Sequence, residues 1–133
     1  MVYKRTEAKP GVGLRVRRAT LRDLERLAHQ RRKMWEDMGV KDSGLLDVAD
    51  RDYKRWVRAE MAKGRLIGWV VETCEGLAGG GCLWLRPSQP RPKPRGTIEP
   101  YLFSMFTEPQ FRGKGVASRI LDEAIRWCRR RGY

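Results

Sequence analysis

YLFSMFTEPQFRGKGVASRILDEAIRWCRR, residues 101–130, is the stretch whose reading decides the fold. Its opening, residues 101–107, is apolar, rich in aromatics and too short for a buried helix, which predicts a central strand. The loop Gln110-Phe111-Arg112-Gly113-Lys114-Gly115 then sets two glycines one residue apart. Beyond it Val116, Ile120, Leu121, Ala124, Ile125 and Cys128 recur on one face of a helix. Strand, glycine loop and helix in that order describe an anion cradle.

The first turn of a helix carries backbone N–H groups without intrahelical partners, and the macrodipole adds partial positive charge there. Without Cβ atoms at Gly113 and Gly115 the backbone can wrap a phosphate, and Arg112 and Lys114 add mobile positive charge at its rim. An ordinary tight turn would also use two glycines. The dinucleotide fingerprint G-x-G-x-x-G is not met, because position 118 is Ser118, and the pattern G-x-x-x-x-G-K-[ST] is absent as well.

The whole stretch resembles the GNAT superfamily of acyl-CoA-dependent N-acetyltransferases. The family's pyrophosphate motif, Q/R-x-x-G-x-G/A, is matched by Gln110, Gly113 and Gly115. The Thr107-Glu108-Pro109 turn and an amphipathic helix ending in Arg129-Arg130-Arg131-Gly132 follow the family's order, and the resemblance runs from about Leu14 to the last residue. It implies acetyl-CoA as acyl donor, with backbone hydrogen bonds from Met105, Phe106 and Thr107 to the pantetheine arm. Gln110, Arg112, Gly113, Lys114, Gly115, Val116 and Ala117 complete the implied cofactor site. Glu99 and Glu108 are the carboxylates nearest the implied cleft and the candidate general bases, with Glu72 on the neighbouring strand; an ordinary surface acid is the readier account of each. The tyrosine acid frequent in the family would lie beyond Tyr133.

A chain of 133 residues with 41% hydrophobic residues is one globular domain by length. No apolar run reaches the length of a membrane span, and MVYKRTEAKP at the start lacks the apolar core of a signal peptide, so a cytoplasmic protein is expected. Cys74, Cys82 and Cys128 sit in apolar patterns without metal-ligand spacing and read as small core residues of a reducing compartment; no metal site is expected. The excess of 29 Lys+Arg over 16 Asp+Glu, a net charge of +13, suits a polyanionic partner, though a solvated basic surface is the readier account.

In chain order, residues 1–12 form a loose lead-in and residues 14–17 alternate as a half-buried strand. Thr20 with Asp23 reads as a capping box opening a helix that Gly39 stops, and His29 lies in it as an ordinary surface residue. Ser43-Gly44 marks a loop, with Asp50 or Asp52 opening a second helix that Gly64 ends. Trp35, Met38, Leu45, Leu46, Tyr53 and Trp56 bracket that loop with apolar bulk, and the resemblance places the acceptor-amine cleft beside it; plain core packing is the other account. Residues 66–73 and 78–85 make a hairpin in which Gly79, Gly80 and Gly81 mark a bulge or a close backbone approach. Residues 87–96 are an extended, proline-rich surface connection.

The expected fold is α/β, an α+β mixed sheet in the order β-α-α-β-β-β-α, in a single domain over residues 1–133. Against the GNAT pattern the sequence lacks the C-terminal strand, helix and hairpin, so the chain reads as a C-terminally truncated acetyltransferase domain. The expected function is transfer of an acetyl group from acetyl-CoA to a primary amine of a small molecule or protein, with neither nucleic acid nor membrane as partner. Two alternatives stay open: a basic binding module for nucleic acid or acidic protein, and an inactive CoA-binding fragment. The absent strand would leave an apolar edge, for which a homodimer and slow acetyl transfer are the expected consequences.

Overall fold

The alternating stretch around Val16 folds as β1 (Arg15–Arg18), antiparallel to β2 (Leu66–Thr73), with Val16 opposite Val71. β2 pairs in the same sense with β3 (Gly76–Pro87), and β3 with β4 (Ile98–Thr107), giving one sheet in the order β1-β2-β3-β4. The structure is a computed structural model that describes residues 13–133; the lead-in expected over residues 1–12 lies outside them. Helices α1 (Leu24–Asp37) and α2 (Ser43–Ala62) come between β1 and β2, and α3 (Val116–Arg131) follows β4, which is the order read from the sequence. Every described pairing is antiparallel, and β4, expected to be central, is an edge strand among the described residues, with β1 at the other edge.

Side-chain alternation along the hairpin sorts the apolar residues into two layers. Leu83 and Leu85 of β3 join Ile67, Trp69 and Val71 of β2 beneath Val116, Ile120, Ala124 and Trp127 of α3. On the other face Cys82 packs with Leu24 and Ala28 of α1 and Tyr53 and Val57 of α2. The three glycines of β3 let both layers close. A Cβ at Gly80 would lie 2.6 Å from Leu27 of α1, and one at Gly81 would fall on the Met105 sulfur and 3.1 Å from Ile120 of α3. They therefore serve close packing on both faces, as strand glycines do.

Thr20 and Asp23 form the expected capping box, with the Thr20 N–H donating to Asp23 at 2.8 Å. Asp23 also accepts two hydrogen bonds from the Arg17 guanidinium, at 2.8 and 2.9 Å, which join β1 to the helix start and hold its carboxyl below the usual carboxylate range. Gly132 closes α3 in the left-handed region, and Tyr133 N–H returns to the Cys128 carbonyl at 2.9 Å.

Three local expectations are corrected. Ser43-Gly44 is not a loop but the first turn of α2, because the Asp42 carboxylate accepts the Leu45 N–H and caps the helix well before Asp50. Cys74 is exposed at the β2–β3 turn, whereas Cys82 is buried and Cys128 half-buried. The proline-rich connection is folded back on itself, with Ser88 N–H on the Thr97 carbonyl at 2.8 Å and Arg91 N–H on that of Gly96 at 3.1 Å.

Candidate functional site

Across the β3–β4 pair, Gly80 stands opposite Phe106 and Cys82 opposite Phe103. Two steps on β3 therefore span three on β4, a bulge absorbed at Ser104, whose φ of 53° is left-handed for a residue with a side chain. The extra residue turns Phe103 and Phe106 to the same side of the sheet, the side of α1 and α2. It also bends β4 at the point where the strand runs into the glycine loop.

Beyond Thr107 the chain makes a 3-10 turn, Pro109–Phe111, whose Phe111 ring is buried in the α3 layer and anchors the loop. Gly113 and Gly115 both take left-handed φ values, 78° and 83°, which glycine alone adopts without strain. Gly115 is the N-cap of α3 and offers no side-chain cap. The first N–H groups of α3 thus open into a depression of about 270 Å³ lined by Thr107, Phe111, Arg112, Gly113, Gly115, Val116, Ala117 and Ser118. Arg112 leans over it, its Nε donating to the Thr107 carbonyl at 3.0 Å and its guanidinium 5.7 Å from the Phe106 ring. The donor set of backbone N–H groups and one guanidinium, on a helix N-terminus, fits a phosphate group.

Of the cofactor residues expected from the sequence, Thr107, Arg112, Gly113, Gly115, Val116 and Ala117 meet in this depression. Gln110 and Lys114 line an adjoining hollow with Thr73, Cys74 and Glu75. The Met105 side chain turns into the α3 layer and Phe106 is buried, so their backbones rather than their side chains are what β4 presents along its edge. Ser118, in the first turn of α3, was missed by sequence reasoning; it stands where the dinucleotide pattern wants glycine and had been read only as a mismatch.

The two candidate bases are far apart along the strand. Glu99 pairs with Arg86 at 2.8 Å, and at the rise of a strand it lies about 20 Å from Met105. Glu108 is buried at 4% exposure, accepting from Gln30 Nε2 at 3.3 Å and Lys33 Nζ at 3.2 Å, with Arg26 at 3.7 Å. All three partners belong to α1, so Glu108 ties that helix to the end of β4. Glu72 is engaged by Arg17 at 2.9 Å on the far side of the sheet from β4.

On the α1 and α2 face a cavity of about 470 Å³ opens beside the bulge, lined by Arg31, Ala49, Asp52, Tyr53, Trp56, Trp84, Tyr101 and Phe103. Trp56 meets Trp84 and Phe103 edge-on, at 5.4 and 5.9 Å between ring centres, and Tyr101 stacks on Phe103 at 5.8 Å. Trp84 is fixed by its Nε1–H, which donates to Glu60 at 3.1 Å. Burial raises the Tyr53 hydroxyl far above its ordinary value and pushes the Cys82 thiol up to about 11, so both stay protonated at neutral pH. Tyr53 and Trp56 were singled out in the sequence; Trp84, Tyr101 and Phe103 were hidden as strand residues whose partners across the sheet face are set by the tertiary packing.

The model of the acetyltransferase (GNAT) family matches residues 19–133. Among solved structures, a GCN5-related N-acetyltransferase from Ralstonia eutropha JMP134 aligns with TM-score 0.79 and 24% identity, covering 90% of this chain and 78% of its own. A predicted acetyltransferase from Clostridium acetobutylicum, solved with acetyl-CoA, gives 0.78 and 23%, over 89% and 75%. Glucosamine-6-phosphate N-acetyltransferase from Arabidopsis thaliana gives 0.64 and 16%, over 90% and 76%. At these identities the likeness is one of fold. No curated protein matches the chain.

Proposed function

This chain belongs to the GNAT acetyltransferase family, and from that premise we propose that it moves an acetyl group from acetyl-CoA to a primary amine. The observation that carries the reading is the uncapped N-terminus of α3, entered through two left-handed glycines and opening beside the end of β4. Val116, Ala117 and Ser118 would give backbone N–H groups to the pyrophosphate, with Arg112 and Lys114 at its rim. Met105, Phe106 and Thr107 would hold the pantetheine arm through their backbone. Bound acetyl-CoA supplies the thioester.

The chain's own contribution is positional. The bulge at Ser104 brings the aromatic cavity to the strand end where the thioester arm would run, so an amine seated there approaches the carbonyl carbon. The amine nitrogen forms the new N–C bond, the C–S bond breaks, and the proton lost by nitrogen ends on the departing sulfur. Glu108, closed in by Lys33, Arg26 and Gln30, acts in this reading through α1 and β4, which it holds together; Glu99 lies out of direct reach. The basic-module reading gains no support, since Arg17, Arg32, Arg65 and Arg86 are drawn into ion pairs with this chain's own carboxylates.

Calorimetry with acetyl-CoA, paired with a free-thiol assay on a panel of amines, tests the proposal. Saturable binding and amine-dependent thiol release are expected; absence of binding would overturn it. No described helix is long and apolar enough to cross a membrane.

A further inference from the structure

Arg31 lines the aromatic cavity, the one cation among the described residues to do so. Its guanidinium lies 4.4 Å from the Tyr53 ring and 5.3 Å from that of Trp35, which fixes it in place without neutralising it. Its Nε is buried with no hydrogen-bond partner, and among the described residues no carboxylate pairs with it. A desolvated donor left unpaired is costly, and a guanidinium fork matches a carboxylate in two parallel hydrogen bonds. The other charged lining residue, Asp52, is exposed at the rim.

The position of Arg31 narrows the ligand further. Its neighbour Gln30 lies 3.6 Å from where a Cβ would stand on Gly80, opposite Phe106. Tyr53, on which the guanidinium rests, reaches the Cys82 sulfur at 3.9 Å, opposite Phe103. The guanidinium thus shares the cavity with Phe103, the residue of β4 just before the bulge. A carboxylate bound there would keep an amine on the adjacent carbon beside Phe103 and the bulge that precedes Met105, while an apolar body would enter the space between Trp56, Trp84, Tyr101 and Phe103. The positive charge beside the amine also favours its neutral, nucleophilic form. Polyamines and other multiply cationic acceptors meet an unpaired cation instead.

We propose that the cavity selects amines carrying a carboxylate on the same carbon and a flat apolar side chain, the class of the aromatic α-amino acids, with Arg31 as the carboxylate anchor. The proposal rests on the acetyl-transfer reading for its chemistry, but the cavity can be tested without acetyl-CoA.

Fluorescence of the tryptophans is titrated with phenylalanine, 2-phenylethylamine, alanine and spermidine in the wild-type protein, Arg31→Gln, Arg31→Lys and Tyr101→Ala. Phenylalanine is expected to bind about tenfold or more tighter than 2-phenylethylamine, the worth of one charge-assisted pair, and alanine and spermidine more weakly still. Arg31→Gln should bring the ratio of phenylalanine to 2-phenylethylamine affinity to about one, Arg31→Lys should leave part of it, and Tyr101→Ala should weaken both ligands by similar factors. Equal wild-type affinities, no response to phenylalanine, or an Arg31→Gln protein that is folded by circular dichroism yet keeps the ratio would overturn the proposal. Acetyl-CoA binding without phenylalanine binding would leave the acetyl-transfer reading standing and this one fallen; the reverse result would do the opposite.

Discussion

The ammonium of Lys33, midway along α1, sits 3.2 Å from the buried carboxylate of Glu108, the first residue beyond β4. The pair ties α1 to the end of β4. Removing the carboxylate charge leaves Lys33 and Arg26 facing each other without their shared partner, a loss on the order of 1–3 kcal/mol. Glu108→Gln is therefore expected to lower the unfolding midpoint in urea clearly while keeping the shape of the pH–rate profile. A variant that unfolds like wild type but loses the acidic limb of that profile would make Glu108 the general base.

The glycine loop gives a second prediction. A side chain at Gly113 or Gly115 meets a backbone φ that L-residues rarely adopt, and it intrudes where the phosphate would approach. Gly113→Val and Gly115→Val are expected to lose most of the acetyl-CoA affinity by calorimetry, whereas Arg112→Ala and Lys114→Ala, at an exposed rim, should each cost about 1 kcal/mol. Unchanged binding in both valine variants, or complete loss in Lys114→Ala with the fold intact, would mean the loop works by another route.

Acid should loosen the α2–β3 junction. The Glu60 carboxylate takes two hydrogen bonds at 2.8 Å from Arg65 and one from Trp84, which lower its pKa below the ordinary carboxylate value, as Arg17 does for Asp23. With the folded pKa depressed, the unfolded chain binds more protons in the acid range. The stabilisation is complete above the unfolded value of about 4 and fades as pH falls through the folded one. Urea midpoints measured from pH 6 downward should fall below about pH 4, less steeply in Glu60→Gln. Identical slopes in the two proteins would rule Glu60 out as a source.

These contacts separate what the sequence made legible from what it hid. The strand, the glycine loop and the helix face were readable because each is a local pattern, and the capping box at Thr20 and Asp23 likewise needs only four consecutive residues. The start of α2 was misplaced because Asp42-Ser43-Gly44 has the composition of a turn; the carboxylate of Asp42 caps a helix with it instead. Alternation puts Tyr101 and Phe103 on one face of β4, but which residues of α1, α2 and β3 they meet there depends on the tertiary packing, and the turn of Phe106 to the same face was hidden. Phe103 and Phe106 differ by an odd number, and only the bulge at Ser104 puts both on the α1 side. Arg31 stands beside Arg32 and Lys33 in the sequence, but that no carboxylate among the described residues pairs with it is a property of the packed structure.

The outer edge of β4 supplies the last prediction. β4 pairs with β3 on one side and, among the described residues, with nothing on the other, while Tyr101 near its start is 43% exposed. Unpaired N–H and C=O groups along an aromatic strand are a template for another strand, and an identical chain is the partner present at the highest concentration in a purified sample. A polypeptide of these 133 residues is therefore expected to show a solution mass that rises with concentration by light scattering. Amide exchange along residues 98–107 should slow over the same range, because those groups become paired. A constant monomer mass together with concentration-independent exchange in β4 would show that the edge is covered within one chain.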